Sequence, residues 1–158
     1  MSYEVGAVLV AAPMAAVAAA LALYATLVFF SRQVRRNVLY YLGALIPQAR
    51  GDMVRYVAGG VAFLAIAFLF GFAYAGLIQA FDVNDNIFTW GVLFGLGHWV
   101  IDGRALGWMA RVHPGIARGE IANPGAFAQH LPFASLVAFL GLHLLYGMFF
   151  SAFYDAIR

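Results

Sequence analysis

Residues 90–108 read WGVLFGLGHWVIDGRALGW. The stretch is apolar and helix-length, yet an imidazole and a carboxylate, His98 and Asp102, sit near its middle. Trp90 and Trp108 bracket it, eighteen residues apart, or about 27 Å along a helix. That span matches the hydrocarbon core of a bilayer, with one indole at each interface. Gly91 and Gly95, then Gly103 and Gly107, form two GxxxG pairs, which mark a packed face in an apolar span.

The rest of the 158-residue chain has the same character. It is 65% hydrophobic and 10% charged, against about 25% charged residues in a soluble domain. Three further apolar runs accompany the opening stretch, so the sequence predicts four spans at about 5–30, 56–80, 87–109 and 132–154. The expected fold is all-α: one transmembrane domain over 1–158, a polytopic four-helix bundle. The N-terminus, MSYEV, has an acid where a signal peptide is basic, and the run after it is too long for a signal core, so it should remain as a span.

Span one is rich in alanine, with Ala11, Ala15 and Ala19 on one face and Ala12, Ala16 and Ala20 beside it. Span two carries Ala67, Gly71 and Ala75 at the same spacing. Small residues four apart let helix backbones approach in lipid. Pro13 lies within span one, where proline is tolerated.

Between spans one and two, Arg32, Arg35, Arg36, Arg50 and Arg55 face a single acid, Asp52. Val34, Val38, Leu42, Leu45 and Ile46 recur there at helical spacing. The pattern predicts a short amphipathic helix on the membrane surface, with Tyr40 and Tyr41 among the headgroups. The loop at 81–86 holds only acids, Asp82 and Asp85, and lacks the spacing of a calcium loop. The loop at 110–131 holds Arg111 and Arg118 with His113, Glu120 and His130. Seven of the nine arginines thus fall in the first and third loops, which should face the cytoplasm and leave both termini on the opposite side. The same placement argues against nucleic-acid binding, despite a net charge of +2.

Composition excludes several chemistries. With no cysteine there is no disulfide, thiolate metal site or cysteine nucleophile. The chain has no lysine either, since all nine basic residues are arginine, so no Schiff base forms. No catalytic motif is present.

What remains is a set of ionisable groups at membrane depth. His98 and His143 both fall near the middle of their spans, and Asp102 follows His98 by one helical turn on the same face. On span four, His143, Gly147 and Ser151 share one stripe. An intramembrane Asp costs about 2.5–3.5 kcal/mol on insertion scales and is a functional-site hypothesis by default. Three readings fit: an interhelical hydrogen-bond cluster, ligation of a cofactor such as a b-type haem by His98 and His143 with Asp102 behind them, and a proton or ion pathway through Asp102. His113, Glu120 and His130 are further loop candidates, but their spacing matches no metal motif. The expectation from sequence is no metal and no cofactor.

The glycine-rich third span with His98, the His113-Pro114 pair, GEIANPGAF over 119–127 and HLLYG over 143–147, ending near Tyr154, resemble an uncharacterised family of small four-span bacterial membrane proteins, a domain of unknown function. The resemblance covers roughly residues 56–154. It implies a four-helix membrane bundle and transfers no activity, since none is established for the family; the expected location is a bacterial inner membrane. Small-residue stripes on all four spans offer more close-packing surface than one bundle must consume, and there is no soluble domain to do chemistry, so the functional expectation is a non-catalytic accessory or structural subunit of a larger membrane complex, whose partners are the bilayer and other membrane subunits or further copies of itself.

Overall fold

The computed structural model describes residues 4–29 and 38–158. Six α-helices are described: α1 (Val5–Phe29), α2 (Val38–Gly43), α3 (Asp52–Ala80), α4 (Ile87–Val112), α5 (Pro114–Ala117) and α6 (Phe133–Ile157), with a 3-10 turn at Ala126–Ala128. There is no strand among the described residues. Three helices are long and apolar enough to cross a membrane, at Val5–Ala22, Asp52–Ala80 and Phe133–Ile157. α4 is just as long, at 26 residues, but His98, Asp102, Arg104 and Arg111 lower its apolarity and it is not among the three.

Backbone proximity explains which helices meet. α6 is central, packing along both α1 and α4. On the α1 side, Ala7, Ala11, Ala12, Ala15, Ala16 and Ala19 are all buried, and Gly71 of α3 sits against Ala12. A methyl surface on α1 leaves room for the large rings of α6, so Phe150 and Tyr154 bury completely or nearly so. α1 runs as one helix through Pro13.

Between α4 and α6 the contact is closer still. A Cβ on Gly91 would lie 2.5 Å from the Gly147 carbonyl, one on Gly95 2.6 Å from the His143 carbonyl, and one on Gly147 2.1 Å from the Gly91 carbonyl. Only glycine allows these backbones to touch. The second glycine pair of α4 serves another partner: Gly103 takes the Phe127 ring and Gly107 takes Ala126. Phe127 adopts a left-handed backbone, φ 55°, to lay its ring there.

A short helix, α2, stands between spans one and two as expected, and it is packed more closely than an amphipathic pattern alone requires. Tyr40 is buried against protein, while Tyr41 is only partly covered. α2 is inserted against the start of α3, where a Cβ on Gly59 would meet the Leu39 carbonyl at 1.7 Å and one on Gly43 the Arg55 carbonyl at 1.8 Å. Tyr40, Leu42 and Gly43 are buried as a result. Two glycines on facing turns turned an amphipathic segment into a packed one. Val34, Arg32, Arg35 and Arg36, which the sequence reading also used, lie outside the described residues.

Candidate cation site

α4 and α6 are drawn together by glycine, while α3 is held off them by rings. Phe70 and Tyr74 of α3 face His98, and Tyr74 also packs against Phe94, Tyr146 and Phe150. The unequal spacing leaves a cavity of about 100 Å³. It runs from His98, Asp102 and His143 to Tyr41 and Leu42 of α2, with walls that are otherwise apolar.

The three polar residues singled out from sequence meet at its inner end. The His143 and His98 rings stand edge to face, with centroids 4.6 Å apart. Both aim Nε2 at one atom, Asp102 Oδ2, at 3.1 Å from His143 and 3.2 Å from His98. Both histidines are buried and Asp102 is half-buried. Asp102 and His98 sit one turn apart on α4, which brings them close but leaves His98 Nε2 off line for a hydrogen bond. That nitrogen has no hydrogen-bond partner although its ring is only 7% exposed.

The other ring nitrogens fix the chemistry. His143 Nδ1 lies 2.6 Å from the Phe139 carbonyl oxygen of the preceding turn. A carbonyl only accepts, so Nδ1 carries the hydrogen. In a neutral imidazole Nε2 is then a lone pair, and it points at a carboxylate oxygen 3.1 Å away. Two lone pairs do not bond each other. The pair is bonded only when a proton or a metal ion lies between them. His98 Nδ1 pairs with the Tyr74 hydroxyl at 3.0 Å, which can donate or accept and so permits either tautomer. Tyr146 donates to the Ala67 carbonyl, which closes the cavity wall.

A haem does not fit this arrangement. Axial imidazoles of one iron face each other from opposite sides of the macrocycle. Here the two rings are in contact side by side and converge on the same oxygen, and the cavity is far smaller than a porphyrin.

The loop candidates do something else. His113 is 1% exposed and caps α5: its Nδ1 accepts from the Gly115 amide at 3.1 Å, so its Nε2 carries the hydrogen and donates to the Tyr41 carbonyl at 3.0 Å. Burial lowers its pKa below the ordinary value. Glu120 takes Arg118 at 2.7 Å and Arg55 at 2.6 Å, which ties the loop to the start of α3. The Arg118 hydrogen bond, with that of Arg55, holds its carboxyl down to about 2. His130 covers Gly125 and stays exposed. Among the described residues, His98, Asp102 and His143 form the one group of three placed to share an ion.

Sequence reasoning missed Tyr74, Tyr146 and Tyr41. A tyrosine in mid-span signals a hydroxyl that must find a partner, and Tyr74 and Tyr146 carried that signal. Burial pushes the Tyr41 hydroxyl up to about 12, and it faces the cavity side without a hydrogen-bond partner. No protein-family model, curated protein or solved structure matches this chain.

Proposed function

We propose that this chain is an integral membrane protein of four spans, with α4 as the fourth, and that it works as a cation-handling protein through His98, Asp102 and His143. The supporting observation is the donor and acceptor count at His143: both of its ring nitrogens face acceptors, so the site is complete only with a cation in it. The cavity is the entry, reached from the end of the molecule where α2, Arg55 and His113 lie. On the inner side the Tyr74 hydroxyl is the next group able to pass a proton on.

α4 crosses despite its polar residues because each is accounted for. His98 is buried, Asp102 lines the internal cavity beside the two histidines, Arg104 lies near enough to the end to reach the interface, and Arg111 is in the last turn. The arginine-rich loops mark the cytoplasmic face of a bacterial inner membrane. An accessory-subunit role rested on small-residue stripes with more packing surface than one bundle needs. Those stripes are spent inside the chain, α1 on α6 and α3, α4 on α6.

The test is flux in vesicles reconstituted with the purified protein and carrying an internal pH dye and, separately, a zinc dye. The wild type should dissipate an imposed gradient of one of these cations faster than empty vesicles, and Asp102→Asn should return the rate to that of empty vesicles. Equal rates for wild type and Asp102→Asn would refute a pathway through this site.

A further inference from the structure

Three atoms converge at the inner end of the cavity: His98 Nε2, His143 Nε2 and Asp102 Oδ2, all within 4.8 Å of one another. We propose that they are three ligands of a divalent first-row transition-metal ion, with its remaining position open to the cavity. This deepens the cation-handling reading by naming the cation, and it rests on that reading only for its role, since the site stands on geometry alone.

The donor set selects the metal class. Two imidazoles and one carboxylate suit zinc, iron, cobalt or manganese, whereas magnesium and calcium take oxygen ligands throughout. The N···O edges of 3.1 and 3.2 Å are close to the roughly 3.3 Å that separates neighbouring ligands around a tetrahedral ion with bonds of about 2.0–2.1 Å. The His98–His143 edge, within 4.8 Å, is the one that must shorten when an ion binds.

The surroundings are also those of a metal site. A metal-bound histidine donates its other N–H to a carbonyl, carboxylate or hydroxyl, which fixes the tautomer and the ring. His143 Nδ1 already does so to the Phe139 carbonyl, and His98 Nδ1 has the Tyr74 hydroxyl in place. Phe70 stacks on the His98 ring and holds its plane. His98 Nε2, buried and without a hydrogen-bond partner, is explained at once: it is a ligand atom rather than a hydrogen-bonding one. An ion there removes the lone-pair opposition between His143 and Asp102. Three protein ligands and an open fourth position facing a cavity are the arrangement of reactive or exchanging metal sites, not of closed structural ones.

The experiment uses the full chain, purified in mild detergent with chelator and then freed of it, titrated with Co²⁺ and followed by visible absorption. One Co²⁺ per chain should give an intensified d–d band of low coordination number, displaced by stoichiometric Zn²⁺ and unaffected by millimolar Mg²⁺. Tyr74→Phe should weaken binding by about 10–100-fold, the usual effect of removing a partner of a ligating histidine. Asp102→Asn should abolish the band while circular dichroism stays helical, because the amide can still hydrogen-bond His143. His130→Ala should leave the titration unchanged. A wild-type spectrum of hexa-aquo Co²⁺ overturns the proposal without any variant. So does a band that survives Asp102→Asn and is lost in His130→Ala, which would mean adventitious loop binding. Protein that passes protons yet binds no Co²⁺ loses the metal and keeps the pathway. Protein that binds Co²⁺ stoichiometrically yet moves neither cation keeps the site and loses the pathway.

Discussion

Gly95→Ala isolates the device that brings the two imidazoles together. Gly95 lies on α4 against the carbonyl of His143 itself, and a Cβ there would stand 2.6 Å from that oxygen and 3.0 Å from Leu144 Cα. Both obstacles are backbone, so no side chain can swing away. The oxygen contact is roughly 0.8 Å short of ordinary van der Waals separation, and α4 and α6 must part by about that much beside the site. Overpacking of this kind costs about 1–3 kcal/mol. Two readouts follow from the one displacement. The unfolding midpoint in detergent should fall, and Co²⁺ affinity should fall by about 10-fold or more, as suits a site whose ligands are held by two helices that have moved apart. Gly97→Ala is the control, since a Cβ there meets nothing within 4 Å. If Gly95→Ala matches Gly97→Ala in both stability and metal affinity, close α4–α6 contact is not what sets the His98–His143 distance.

Other consequences are open to simpler measurements. The chain has no native cysteine, so single cysteines at Asn84 and Asn123 should be labelled from opposite sides of the membrane; labelling from the same side would mean that α4 does not cross. His113 is held neutral with its pKa below the ordinary value near 6.5, so stability is full above that value and declines as pH falls below it, because the unfolded chain takes up a proton that the folded one refuses. His113→Gln should flatten that decline and cost about 1–3 kcal/mol for the unpaired Gly115 amide or Tyr41 carbonyl, read from thermal unfolding across pH 5–8. Glu120 has the opposite kind of group but the same direction: its carboxyl is depressed to about 2 from an ordinary 4.5, so its contribution is present above 4.5 and is lost as pH falls towards 2. Unfolding midpoints should drop through that window in wild type and less in Glu120→Gln.

The helices were legible in the sequence because apolar length decides them. The four runs expected at 5–30, 56–80, 87–109 and 132–154 overlap Val5–Phe29, Asp52–Ala80, Ile87–Val112 and Phe133–Ile157, with ends that differ by up to four residues among the described residues. The meeting of His98, Asp102 and His143 was legible too, since counting residues from each interface put both histidines at one depth. The close packing of α2 was not legible, because periodicity reports an apolar face and not what covers it; the cover includes two glycine contacts with α3. The metal geometry was hidden for a related reason. Metal motifs are read from spacing along one chain segment, and here one ligand lies 41 residues from Asp102, on another helix. The cavity was not legible at all, because it arises from the difference between a glycine-close α4–α6 contact and a ring-spaced α3.

Nitrogen NMR of ¹⁵N-histidine-labelled protein in bilayers, with His143 assigned by its loss in His143→Gln, looks straight at the atom on which cation binding depends. With a cation in the site, Nδ1 of His143 is protonated and Nε2 is never bare. It carries or receives a proton in metal-free protein, and moves to the position of a metal-bound nitrogen when one equivalent of Zn²⁺ is added. A His143 with a bare Nε2 beside an ionised Asp102, unchanged by Zn²⁺, would show that the three residues hold helices and nothing more.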